Sequence, residues 1–264
     1  MREEILLPTG IGAGQSNGIT AAALKWTAAV LMLINHCCIS WFDYISHAES
    51  WLDPLHWYIS RPSFIIFAFL ISEGMVHTRD RRRYIIRLLV FSLVSEIPYD
   101  LCFHHELIYT GSLNVGFTLL IGALTIAGID LFPQIWKKLL TAALASLTAS
   151  ASGTSYGGFG VLLVVSFYVL RDKKWRYFVM AALIVEIYAA DLALDFFLRG
   201  YPASMVQQYI AWAVNAVKQE SHGILALPLT ALYKGEKGRE SKLFFYIFYP
   251  AHLLAIYLVT AALT

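Results

Sequence analysis

Charge is what this chain has least of. Only 14% of its 264 residues are Asp, Glu, Lys or Arg, against roughly 25% in ordinary soluble domains. Too few polar side chains remain to coat a soluble fold of this size. Disorder is excluded too, because it needs low hydrophobicity and high charge, whereas 58% of the residues here are apolar or aromatic and the mean hydropathy is +0.60. Excess of one charge sign is also missing. The net charge is +2, so no basic surface points to nucleic acid. Three cysteines, Cys37, Cys38 and Cys102, are too few for a disulfide framework or a tetrahedral metal site. The start, Met-Arg-Glu-Glu-Ile-Leu-Leu-Pro, lacks the order of a cleaved signal, so the first apolar run is expected to stay in the mature chain. No fixed-period repeat or linker divides the sequence. The aromatic content of 14% suits ring-rich borders at lipid headgroups.

What is present is a series of long apolar runs. Crossing a bilayer core as helix takes about 20 such residues. The runs at 21–42, 58–76, 84–103, 113–131, 136–152, 156–170, 177–198, 211–233 and 243–262 predict an all-α, polytopic helix bundle of about nine spans, within a range of eight to ten. They form a single domain over 1–264. Runs of this length favour helices over a barrel. Basic connections at Thr78–Arg83, Lys137–Lys138, Arg171–Arg176 and Lys234–Lys242 alternate with loops at Asp43–Trp57, Pro98–Ser112 and Ser152–Gly158 that are nearly free of Lys and Arg. The positive-inside rule then puts the N-terminus in the cytoplasm. Met205–Val217, with Gln207, Gln208 and Asn215, reads as an interfacial or partly inserted helix. The fifth and sixth spans are short, and a re-entrant hairpin fits them equally well.

Ionisable groups inside apolar spans are costly and mark candidate sites. In the first span Lys25 and His36 are eleven residues apart, which leaves them within about 20° of one helix face and about 16 Å apart along it. Asn35 precedes the histidine. A snorkelling lysine with a histidine bonded inside the bundle is the structural alternative. Arg61 and Glu73 mark the two ends of the second span, and Arg79, Arg81, Arg82, Arg83 and Arg87 crowd after it. Topology alone explains their side. Their crowding would also suit a phosphate-bearing ligand. Glu96 and Asp100 lie four apart around Pro98. Glu186, Asp191 and Asp195 give the seventh span an acidic stripe that could serve cation transport or pair with arginines. In the last span Pro250 precedes His252, about 14 Å from its basic start and so near mid-membrane. An imidazole there can exchange a proton near neutral pH.

Met32–His36, Arg61–Arg87, Ser95–Leu101, Asn114–Ile121, Tyr156–Leu163, Tyr233–Arg239 and Phe245–Leu253 run in order through nearly the whole chain. Together they resemble the TraX family, bacterial membrane proteins named for an enzyme that acetylates the N-terminus of F-type pilin. The Lys25 to His36 spacing also resembles the basic-residue and histidine signature of wider transmembrane acyltransferases. The resemblance implies a bacterial cytoplasmic-membrane acyltransferase using acetyl-CoA, without metal. His36, Asn35 and His252 would be catalytic, with His36 as general base or transient acyl carrier. Lys25, Arg79, Arg81, Arg82, Arg83 and Arg87 would hold the donor. Arg61, Glu73, Glu96, Asp100, Asn114, Tyr156 and Tyr249 would bind an acceptor, a peptide or pilin amine or a glycan hydroxyl, reached from the far side. Two positions depart from the family pattern: Asn35 and Ser155 stand where it usually carries aspartate. A hydrophilic shaft from the arginines to His36 is expected. A proton-coupled transporter and a noncatalytic component of pilus or envelope assembly are the competing functions.

Overall fold

A computed structural model describes residues 18–45, 52–173, 175–239 and 242–263. The segment before Gly18, much of the Asp43–Trp57 loop and the side chains of Glu186, Asp191 and Asp195 lie outside the described residues. The architecture is all-helical, with 81% helix. Its helices are α1 (Ala21–Ile45), α2 (Leu52–His77), α3 (Arg81–His104), α4 (Val115–Asp130), α5 (Ile135–Ala151), α6 (Gly157–Val169), α7 (Arg176–Leu198), α8 (Val206–Ser221), α9 (Ala226–Ala231) and α10 (Lys242–Leu263).

The apolar run expected as one eighth span is broken. It contains most of α8, a 3-10 turn at His222–Leu225 and the short α9. Gly223 lies at the break: a Cβ there would stand 2.9 Å from Ile65 of α2, and its absence lets the turn settle on α2. The Met205–Val217 stretch is largely exposed, as an interfacial helix would be. Segments α1 and α10 each contain 21-residue stretches long and apolar enough to cross a bilayer, Ala21–Trp41 and Leu243–Leu263. Large apolar side chains face outward elsewhere as well, among them Val90, Leu93 and Val94 on α3 and Leu139, Leu140 and Leu144 on α5. Apolar faces of this extent are solvent-incompatible and suit lipid. The chain is a membrane-associated helical protein.

Helix α2 is the centre of the bundle. It packs against α1, α4, α6, α8 and α9, and its Ile65, Ile66, Ala68, Phe69 and Met75 are buried. On the far side α4 and α6 approach closely at Gly122, where an added Cβ would come within 2.9 Å of Val164; small residues permit such backbone approach in membrane bundles. Helix α10 closes the structure against α1 and α3, with Trp41 Nε1 of α1 donating to Thr260 Oγ1 at 2.9 Å.

The first N–H groups of a helix have no partner within it. Those of α1 are satisfied by the loop before α10: Ala21 N–H donates to the Glu236 carbonyl at 2.8 Å and Ala22 N–H to that of Lys237 at 2.9 Å. Gly238 turns this loop at φ +73°, with Thr20 and Ala22 where a Cβ would sit. A distant loop is thereby pinned to the start of α1. At the opposite end Leu113 and Thr154 form a bridge that draws the entry to α4 against the α5–α6 turn.

Candidate functional site

Two cavities lie along α1, and the face predicted from the Lys25 to His36 spacing lines both. The larger, about 520 Å³, is bordered by Lys25 of α1, Arg87 of α3 and Lys237 of the pinned loop. Glu73 and His77 of α2 share its wall, 3.3 Å apart, as do the rings of Tyr84, Phe91, Phe245 and Tyr246. Lys25 stands 5.7 Å from the centre of Phe245, and Arg87 5.7 Å from that of Tyr84. Three cations converging over aromatic walls can hold phosphate groups and a planar base.

The arginine cluster does not form one surface. Arg81 is tied into the fold, donating to Asp130 at 2.6 Å, to the Tyr168 hydroxyl at 3.1 Å and to the Met75 carbonyl at 3.1 Å. It thereby fastens the start of α3 to α2, α4 and α6. Arg83 pairs with Asp80 at 3.0 Å, the residue that also caps α3. Arg79 and Arg82 are exposed and line neither cavity. The reason is angular: consecutive helical residues point about 100° apart, so only Arg87, on the cavity-facing side of α3, reaches the site. Lys237 was not singled out by sequence reasoning; only the capping of α1 by its loop reveals it.

The smaller cavity, about 200 Å³, is lined by Asn35 and His36 of α1, Arg61 of α2, Tyr99 of α3, Ser155 and Tyr156 before α6, and Tyr249 of α10, among others. Both departures from the family pattern, Asn35 and Ser155, are therefore on its wall. His36 Nδ1 lies 2.8 Å from His252 Nε2, the two rings being within 5° of parallel. His252 Nδ1 lies 2.8 Å from the Phe248 carbonyl oxygen. His252 is buried and lies behind His36. The ring of Phe103 meets His36 edge-on at 5.2 Å.

Arg61 is held by Glu220 of α8, Nη1 to Oε1 at 2.9 Å, with side chains 20% and 8% exposed. It also donates to the Tyr156 hydroxyl, and the Tyr156 ring stacks on Phe64 at 3.6 Å. Glu220 is a second residue the sequence did not flag, since nothing in its local pattern distinguishes it from a helix-surface glutamate.

The other expected acceptor residues separate. Glu73 belongs to the large cavity. Glu96 Oε2 accepts from both the backbone and the side-chain amide of Asn114, at 3.1 and 2.5 Å. Asn114 Oδ1 in turn accepts from Gly116 N–H, capping α4. Asp100 accepts from Tyr109 N–H at 2.9 Å. These three hold α3, the following loop and α4 in register and line neither cavity; their contribution is to place Val115, which does line the small one. The linings of the two cavities share one residue, Phe67 of α2. Among the described residues, two chambers with an aromatic side chain common to their walls stand where one open shaft was expected.

An all-helical, membrane-associated protein with paired cavities along one helix face is the class that fold and site define. The family described as TraX protein matches residues 20–260, nearly the whole chain, and the chain belongs to that family. Comparison with curated proteins and with solved structures gives no match.

Proposed function

We propose that the protein is an acyltransferase of the bacterial cytoplasmic membrane that moves an acetyl group from acetyl-CoA to an amine or hydroxyl acceptor at the small cavity. The observation that carries this reading is the placement of His36 on the wall of one chamber while the same helix face presents Lys25 to the other. The arginine-bearing end is cytoplasmic, and α1 to α7, the segment that runs through α9 after the interfacial part of α8, and α10 account for nine passages. The donor's phosphates rest among Lys25, Arg87 and Lys237, and its thioester arm reaches past Phe67.

His36 takes the proton from the acceptor N–H or O–H as the acceptor attacks the thioester carbon. The tetrahedral oxyanion is met by donors on the cavity wall, the Asn35 amide and the Arg61 guanidinium. Its collapse breaks the carbon–sulfur bond, and the departing thiolate receives the proton held by His36. The acceptor leaves as its acetyl amide or ester, and coenzyme A as the free thiol.

The test is acetyl-CoA turnover by purified protein, read as thiol release with label transferred to added peptide amine or glycan hydroxyl acceptors. His36→Ala should abolish turnover while the protein stays inserted and folded. Full turnover by that variant would remove His36 from the mechanism.

A further inference from the structure

A backbone carbonyl can only accept a hydrogen bond. The 2.8 Å contact between His252 Nδ1 and the Phe248 carbonyl therefore requires the proton of a neutral His252 to be on Nδ1. Its Nε2 is then left with a lone pair. The 2.8 Å contact to His36 Nδ1 accordingly runs one way: His36 Nδ1–H donates and His252 Nε2 accepts. Ring centres 5.1 Å apart and planes 5° from parallel place the two imidazoles edge to edge in a common plane. The lone pair of one ring is thus aimed along the N–H of the other. A neutral imidazole carries one N–H, so the remaining nitrogen of His36, Nε2, is bare. His36 lines the small cavity and His252 does not, so the bare Nε2 belongs to the ring that borders the cavity.

We infer that His252 is a positioning residue which, anchored on the Phe248 carbonyl, holds His36, on the wall of the small cavity, in the tautomer whose lone pair is on Nε2. The rate consequence rests on the acyltransferase reading; the tautomer assignment does not. When His36 Nε2 gains the acceptor's proton, its Nδ1 proton can pass to His252 Nε2, so the positive charge is shared with a ring already bonded to a carbonyl. Return of both protons along the same contacts, with Nε2 releasing its proton to the thiolate, restores the starting state. The same geometry explains why the Phe-Tyr-x-x-His end of the chain must pack beside the Asn-His of the first helix.

The experiment is nitrogen NMR on protein carrying ¹⁵N-histidine in detergent micelles, with His36→Ala to assign the signals. His36 should show a lone-pair signal at Nε2 and an N–H signal at Nδ1. In His252→Ala the His36 signals should shift toward a mixture of tautomers. In His252→Gln, whose amide oxygen can still accept from His36 Nδ1–H, they should stay in place. Thiol release from acetyl-CoA should fall about 100-fold in His252→Ala, the low end of what a positioned general base contributes. His252→Gln should recover most of that loss. A proton on His36 Nε2 in the unmodified protein, or unchanged tautomer and rate in His252→Ala, would overturn the inference. Tautomers as expected but no thiol release from any form would support the assignment and overturn the acyltransferase reading instead.

Discussion

Replacing Glu220 by alanine should cost the fold about 3–5 kcal/mol, the usual penalty for stranding one member of a buried ion pair. The structure supplies the reasons. Glu220 is 8% exposed and Arg61 20%, so solvent only partly replaces the missing partner. The Arg61 hydrogen bond to Tyr156 supplies no counter-charge. The pair also joins α8 to the middle of α2, so its loss should loosen the α8–α9 segment first. At about 2–4 °C per kcal/mol for a chain of this general size, the melting temperature should drop by roughly 10 °C.

The assay is reversible unfolding in mixed micelles of Glu220→Ala and of the cycle formed by Arg61→Leu, Glu220→Leu and the double variant Arg61→Leu/Glu220→Leu. Desolvating two charges nearly cancels their attraction, so replacing both with apolar residues should be far milder than either single change. The double variant should come within about 1–2 kcal/mol of the parent, while the cycle shows a large coupling energy. Single changes costing less than about 1 kcal/mol, the value of an exposed pair, would refute the reasoning. A double variant as damaged as the sum of the two singles would do so as well.

Lys237→Ala should raise KM for acetyl-CoA roughly tenfold, the equivalent of about 1.4 kcal/mol of lost phosphate contact, with kcat nearly unchanged; Arg82→Ala should move neither. An Arg82 effect as large as that of Lys237 in steady-state kinetics would mean the phosphates bind outside the large cavity. Phe67→Leu, which keeps most of the packing volume, should widen the passage between the chambers and admit water. Free acetate, as a fraction of the thiol released from labelled acetyl-CoA, should then rise several-fold, and an unchanged ratio would dismiss Phe67 as a barrier.

How far the sequence revealed this site depended on whether the signal was periodic or pairwise. The face joining Lys25 to His36 follows from helical geometry alone, and the structure lays both cavities along it. The helical class follows equally from apolar runs and scarce charge. The partnership of His36 with His252 spans 216 positions, and no local pattern encodes it, although each histidine was conspicuous in its own helix. The arginines show the opposite failure. Their crowding in sequence suggested one binding surface, yet successive residues on a helix diverge by about 100°, and Arg81, Arg83 and Arg87 end in three different roles. Lys237 and Glu220 were invisible for a third reason. One is brought in by a loop that caps a remote helix, and the other by an α8 whose packing could not be read from its mixed composition.

The small cavity has a cause in the covalent chain. Close-packed helices leave few voids as large as a ligand, so a chamber inside a bundle needs helices that part. Three of them carry a proline within the helix: Pro62 in α2, Pro98 in α3 and Pro250 in α10. Each lacks the N–H that would bond the carbonyl four residues back, and each ring crowds that carbonyl, which is the usual cause of a helix kink. Arg61 and Ser63 flank the first proline, Tyr99 follows the second and Tyr249 precedes the third, and all four line the small cavity. Prolines from three helices meet at one level beside this space, with polar neighbours on its wall. Carbonyls exposed at such bends must be satisfied by protein when lipid surrounds the bundle, which favours locating the bends where helices face one another. His252 lies two residues beyond Pro250 and uses the carbonyl two residues before it. The contact that orients the histidine pair is thus made across the same proline that neighbours the chamber wall, so a change at Pro250 would disturb both together.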